Sequence, residues 1–140
     1  PGLTFYNKMD GFYLEMGLDP AEGLYFTEAT VGAYLDSVLL PFWESQDKPM
    51  YLGLNAASLT TFSADTASDA QPVSPITEQY GEANVDLEPQ YYFYETYLYA
   101  LIDRGWIQGV SARGFFPIVK LTDYSSSIYG KPAQHLLGLQ

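Results

Sequence analysis

The sequence predicts an α/β fold in which parallel strands alternate with crossover helices. Short apolar and aromatic runs bounded by Gly or Pro recur three times, as strands buried in a parallel sheet do. Between them lie segments whose apolar residues repeat at spacings of three and four, the signature of one helix face. The resulting order, strand then helix in three successive units, is that of a parallel sheet with right-handed connections.

Asp10 to Leu18 reads as the first strand, with Tyr13, Glu15 and Gly17 on one face and Leu14 and Met16 on the other. After a turn at Asp19-Pro20, Thr27 can cap a helix running to about Gln46. Thr27-Glu28-Ala29-Thr30 falls short of a full capping box, because Thr30 stands where Glu or Gln is usual. Val31, Tyr34, Leu35, Val38, Leu39 and Phe42 form its apolar face. Pro41 interrupts that face and should bend the helix or start a new turn, since it lacks an N–H and crowds the preceding turn. Gln46-Asp47-Lys48-Pro49 ends the helix, and Met50 to Asn55 is the second strand.

Ala56 to Val85 is rich in Ser, Thr, Ala, Asp and Pro and has no clear period. With no element expected before Glu88, the loop spans 56–87, a length typical of disorder, a surface insertion or a functional lid. Glu88-Pro89 opens the next helix, Pro suiting its first turn. Tyr91, Tyr94, Glu95, Leu98, Leu101 and Ile102 continue it to Arg104, and Gly105 stops it. Trp106 to Ala112 is the third strand, Phe115-Phe116-Pro117 turns into a loop, and a short helix from Pro132 to about Leu137 is the last element of 1–140, a length that could form one domain with a single core.

Composition narrows the function classes. Six Lys and Arg against 17 Asp and Glu give a net charge of −11, which repels phosphate backbones and excludes nucleic acid as an expected partner. No apolar run reaches the roughly 20 residues of a membrane-spanning helix. With no Cys and one His, His135, the four ligands of a structural zinc site are missing. Asp123 with Ser125 to Ser127 is oxygen-rich but short of a calcium motif, and no phosphate loop, dinucleotide fingerprint or Ser-His-Asp arrangement appears. Neither metal nor cofactor is expected. The telling excess is 13 Tyr, eight Phe and two Trp, whose amphipathic faces suit both packing and sugar binding. An acidic, cysteine-free chain suits an extracellular or cell-surface setting, and a cytoplasm equally.

The most specific stretch runs Gly109-Val110-Ser111-Ala112-Arg113-Gly114-Phe115-Phe116-Pro117, then Asp123-Tyr124-Ser125-Ser126-Ser127-Ile128-Tyr129-Gly130-Lys131-Pro132-Ala133. It resembles the last strand and closing segment of glycoside hydrolase family 113, where a strand ends in a Trp-Gly-aromatic turn and a Gly-Lys-Pro-Ala helix start closes the domain. The similarity extends to Asp10 to Leu18, to the helix ending Leu39-Leu40-Pro41-Phe42-Trp43 and to the strand opened by Lys48-Pro49. Three units cannot close an eight-stranded β/α barrel of about 250 residues. The residues alone leave a small open sheet or a barrel portion; the resemblance favours the last three units of a TIM barrel, strands six to eight.

The resemblance implies a glycosidase of mannanase-like lineage acting on a β-linked polysaccharide. In many such barrels the strand after Lys-Pro ends in a Glu nucleophile within a Thr-Glu-Ile-Gly-like motif. Here it reads Leu52-Gly53-Leu54-Asn55, with Leu54 at the expected nucleophile, which makes the chain a candidate pseudoenzyme. Arg113 stands where the family often has a subsite Trp, and a guanidinium there could bind a charged sugar such as a uronic acid or pair with a carboxylate across the barrel mouth. Glu15 is the remaining candidate catalytic acid; Arg113 or Lys120 could equally satisfy it as a structural group. Tyr13, Tyr51, Asn55, Arg113 and Phe115 are the candidate substrate-binding residues, with Ser58 on the same rim. Carbohydrate and the remaining barrel strands, from the same or another chain, are the expected partners, or self-association in their place. The alternative to an enzyme is a non-catalytic glycan-binding module or a self-assembling surface or filament module.

Overall fold

A computed structural model of the 140-residue chain describes residues 9–17, 27–56, 58, 86–114 and 126–138. The Asp19-Pro20 turn, Lys120, Phe115 to Pro117, Asp123, Ser125 and nearly all of the 56–87 loop lie outside the described residues. Within them the order is β1 (Phe12–Gly17), α1 (Glu28–Tyr34), a π-helical turn (Leu35–Leu39), α2 (Leu40–Gln46), β2 (Met50–Asn55), α3 (Glu88–Leu101), β3 (Ile107–Ala112) and α4 (Ala133–Leu136).

The strands form one parallel sheet in the order β1-β2-β3. Each step moves to the adjacent strand in the same direction, so right-handed crossovers place the connecting helices on one face. The core lies on that face. Leu52 and Leu54 of β2 pack with Val31, Leu35 and Leu39 from the first helical segment, Phe93, Tyr94, Tyr97 and Ala100 from α3, and Ile128 and Ala133 from the closing segment. Tyr13 and Tyr51, on the opposite face, remain 56% and 45% exposed.

A bulge sets which residues of β3 face the core. Met50 pairs with Ile107, yet Tyr51 pairs with Gly109, so Gln108 is the extra residue. Ile107 and Val110 are three apart and would otherwise point to opposite faces. The bulge brings Ile107 to the core side with Val110 and Ala112, and leaves Gly109 and Ser111 on the other side.

The first helix begins more firmly than its sequence implies. Thr27 Oγ1 accepts the Thr30 N–H at 3.2 Å, and Thr30 Oγ1 accepts the Thr27 N–H at 2.9 Å, so a threonine completes the capping box in place of Glu or Gln. Pro41 acts as expected on the turn before it. The five residues Leu35–Leu39 widen to π geometry, in which the Leu40 N–H bonds Leu35 O, relieving the crowding that the pyrrolidine ring imposes on an α turn. The inserted residue rotates the face, leaving Tyr34 and Val38 exposed while Val31, Leu35 and Leu39 are buried. Phe42 meets Phe12 edge-on at 5.0 Å, and Asp47 in the left-handed region ends α2 before Pro49.

α3 stops at Leu101, three residues before the expected Arg104, through tighter bonds from Ile102 N–H to Tyr99 O and Arg104 N–H to Leu101 O. Its buried face is Gln90, Phe93, Tyr94, Tyr97 and Ala100; of the expected stripe Tyr94 is buried and Leu101 packs against the core, while Tyr91 and Leu98 are half-buried and Ile102 is exposed. Gln90 is the reason the pattern misleads: a polar residue enters the core because backbone carbonyls await it there. Arg104 closes the helical layer through a fork on Asp36 of the π turn, at 2.8 and 2.6 Å.

Candidate functional site

The face opposite the helices gathers most of the residues that the sequence singles out. Strand alternation puts Tyr13 and Glu15 of β1, Tyr51, Gly53 and Asn55 of β2, and Gly109 and Ser111 of β3 on it, with Arg113 just beyond. Along the strands these residues form layers. Tyr13, Tyr51 and Gly109 are in register, then Glu15, Gly53 and Ser111, then Asn55 and Arg113 at the C-terminal end of the sheet.

Glu15 is held from two strands. Arg113 Nη1 donates to both carboxylate oxygens, at 2.7 and 2.5 Å, and Asn55 Nδ2 donates to Oε1 at 2.8 Å. The Glu15 and Arg113 side chains are each one-third exposed, so ligand can reach them. Of the two partners considered for Glu15, Arg113 is in place, and Lys120 lies outside the described residues. Arg113 in turn spends Nη1 on Glu15, and among the described residues its Nε and Nη2 remain as further donors. Asn55 is buried, and its Oδ1 has no hydrogen-bond partner.

The layer below is a pair of tyrosines leaning over glycines. Tyr13 crosses β2 above Gly53 and reaches Ser111 Oγ on β3 at 3.0 Å. A Cβ at position 53 would collide with the Tyr13 hydroxyl and ring. Tyr51 crosses β3 in the same way, with its Cδ1 3.3 Å from where a Gly109 Cβ would stand. Gly53 and Ser111 are functional-face residues that sequence reasoning passed over, although alternation from Arg113 back along β3 marks Ser111.

Two expectations about this face are not met. Leu54 is fully buried in the core beside Leu52 and Phe93, on the helix side of the sheet and opposite Glu15. A carboxylate at that position would point into the core, so its absence does not remove a group from the open face. Ser58 is fully buried as well, accepting a hydrogen bond from Lys131 Nζ at 3.0 Å, and so does not line the rim. Phe115 lies outside the described residues, and His135 is exposed on α4, away from Glu15 and its partners.

Beneath the site, the Leu54 carbonyl accepts both the Arg113 N–H and the Tyr94 hydroxyl, each at 2.8 Å. Burial raises the Tyr94 phenol well above the ordinary tyrosine value, so it stays a hydrogen-bond donor. Among the described residues no helix is long and apolar enough to cross a membrane.

No family model matches the sequence, and no curated protein matches it. Solved structures do. A GH113 β-1,4-mannanase aligns over 96% of this chain at TM-score 0.64 and 16% identity, and a GH113 β-mannanase from Alicyclobacillus acidocaldarius over 97% at 0.62 and 20%. A Bifidobacterium dentium β-glucuronidase, complexed with coumarin-3-O-glucuronide, aligns over 94% at 0.54 and 18%. The chain spans about 40% of the length of each mannanase and 20% of the glucuronidase. The three parallel β/α units therefore have the fold of part of a GH113-like β/α barrel.

Proposed function

We propose that these units are strands six to eight of a glycoside hydrolase-like barrel that takes a β-linked polysaccharide, of the mannan type, against the face carrying Glu15, Asn55 and Arg113. The observation that carries this reading is the position of that cluster: a carboxylate held by a cation and an amide at the C-terminal end of parallel barrel strands, where barrel enzymes collect their catalytic groups. Tyr13 and Tyr51 supply the aromatic surface beneath it, and the remaining strands come from the same or another chain. A polysaccharide ligand accords with an extracellular or cell-surface setting.

The test is hydrolysis of soluble β-1,4-mannan by the full-length protein and its Glu15→Gln variant. A catalytic carboxylate predicts a fall of about 100-fold or more in rate, with glycan binding retained. A rate unchanged by Glu15→Gln would remove Glu15 from the chemistry.

A second reading rests on how fully Glu15 is engaged within the protein. Its oxygens already accept three hydrogen bonds from Arg113 and Asn55. A carboxylate engaged in that way serves as a structural strut of a glycan-binding groove. Binding without hydrolysis, in both the native protein and Glu15→Gln, would favour it.

A further inference from the structure

Asn55 lies between two backbone carbonyls that are gripped from the helix side. Tyr94 Oη donates to Leu54 O at 2.8 Å. Gln90 Nε2 donates to Ala56 O at 2.8 Å and lies 3.4 Å from the carbonyls of Ser126 and Ser127. Gln90 and Tyr94 are neighbours four residues apart on the buried face of α3, and neither has any exposed surface.

Carbonyls of residues two apart point to the same side of a strand, so Ala56 O continues the direction of Leu54 O, just past the last pairing of β2 with β3. A buried carbonyl left there without a donor is costly, and the Gln90 amide meets that need. Gln90 Oε1 has no partner, so what the amide contributes to the core is its donor.

The hydrogen bonds close a circuit. Leu54 O accepts the Arg113 N–H, the Arg113 guanidinium holds Glu15, Glu15 accepts from Asn55, and Asn55 is joined to Leu54 by the chain. Tyr94 and Gln90 fix the backbone on either side of Asn55 and so fix the direction of its amide.

We infer that Tyr94 and Gln90 are positioning residues: from behind the sheet, they set the Asn55 amide and Arg113 on Glu15 without touching ligand. The inference rests on the reading of that face as the glycan site. It also ties the end of β2 to the Ser126-Ser127 backbone, coupling both segments through one amide.

The experiment uses the full-length protein labelled with nitrogen-15, with the Asn55 side-chain amide resonance assigned by its loss in Asn55→Ala. Tyr94→Phe and, separately, Gln90→Met should each shift that resonance. Tyr91→Phe, which removes a part-buried hydroxyl bonded to Glu95 on the same helix, should not. With a soluble β-1,4-linked manno-oligosaccharide as probe, Tyr94→Phe should weaken binding about five- to tenfold, the range of one hydrogen bond. In an Asn55→Ala background it should cost less, the remainder being what passes through Arg113. An unmoved Asn55 resonance in both variants, or losses that add fully, would overturn the positioning role. If Asn55→Ala itself leaves binding unchanged, the glycan reading falls, and the resonance shift still decides whether Tyr94 and Gln90 set Asn55.

Discussion

Replacing Gly53 with alanine tests the tyrosine layer directly. The added methyl would occupy the space of the Tyr13 hydroxyl and ring carbon, well inside contact distance, so the two cannot coexist. The obstructing atoms are the far end of a side chain that is 56% exposed, and Tyr13 can rotate into solvent rather than strain the sheet. What is lost is the bond to Ser111, about 0.5–1.5 kcal/mol and at the low end for so exposed a pair. Set against it is the reduced freedom of the unfolded chain on Gly→Ala replacement, about 0.4–1 kcal/mol where the backbone tolerates it. Gly53→Ala should therefore change stability by no more than about 1 kcal/mol, read as the urea midpoint of the full-length protein. The decisive measurement is coupling: Ser111→Ala should be destabilising in the native background and neutral with Gly53→Ala already present. A loss above about 3 kcal/mol, or a Ser111→Ala effect unchanged by Gly53→Ala, would refute this geometry.

Two further outcomes follow from the helical layer. The Arg104 hydrogen bond holds the Asp36 carboxyl below its ordinary value, so the pair stabilises the fold above the usual carboxylate range near about 4 and loses that effect as pH falls through the depressed folded value. Asp36→Asn should thus be less stable than the native protein at neutral pH and equal to it in strong acid, with a gap that narrows in high salt; a gap independent of pH would contradict the assignment. Thr30→Ala removes the reciprocal half of the capping box and should cost about 0.5–1 kcal/mol in the denaturation midpoint; no change would mean that Thr27 caps the helix alone.

The alternation of elements was legible because each strand is short, apolar and closed by Gly or Pro, and β2 has the expected bounds. Glu15, Asn55 and Arg113 were legible individually, since strand ends and period-two alternation place them. Their mutual contacts were not. Glu15 and Arg113 are 98 residues apart, and only the register of three strands brings them together. The β3 bulge at Gln108 has no signal in a single sequence, and it decides the face of Ile107. Gln90 escaped notice because a helical face is sought in apolar residues, whereas this one buries an amide to satisfy carbonyls from segments far away in the chain. The capping box was hidden by a similar substitution, a hydroxyl doing the work usually assigned to a carboxylate or amide.

Cleavage of a glycosidic bond by two carboxyl groups needs them facing each other across it, about 5 Å apart for retention and wider for inversion. Among the described residues, the face carrying Glu15 has one carboxylate, Glu15 itself. A glutamate at position 54 would not become the second, because Leu54 is fully buried beneath the helices on the other side. Leu54→Glu should accordingly destabilise the full-length protein by about 3–5 kcal/mol, the cost of a buried charge without a partner, and produce no gain in β-mannan hydrolysis. A folded Leu54→Glu variant with an unchanged urea midpoint and new hydrolytic activity would show that the end of β2 turns position 54 toward Glu15. If the predicted loss is found instead, any partner of Glu15 in catalysis lies outside the described residues, and Leu54 is not evidence of a lost nucleophile.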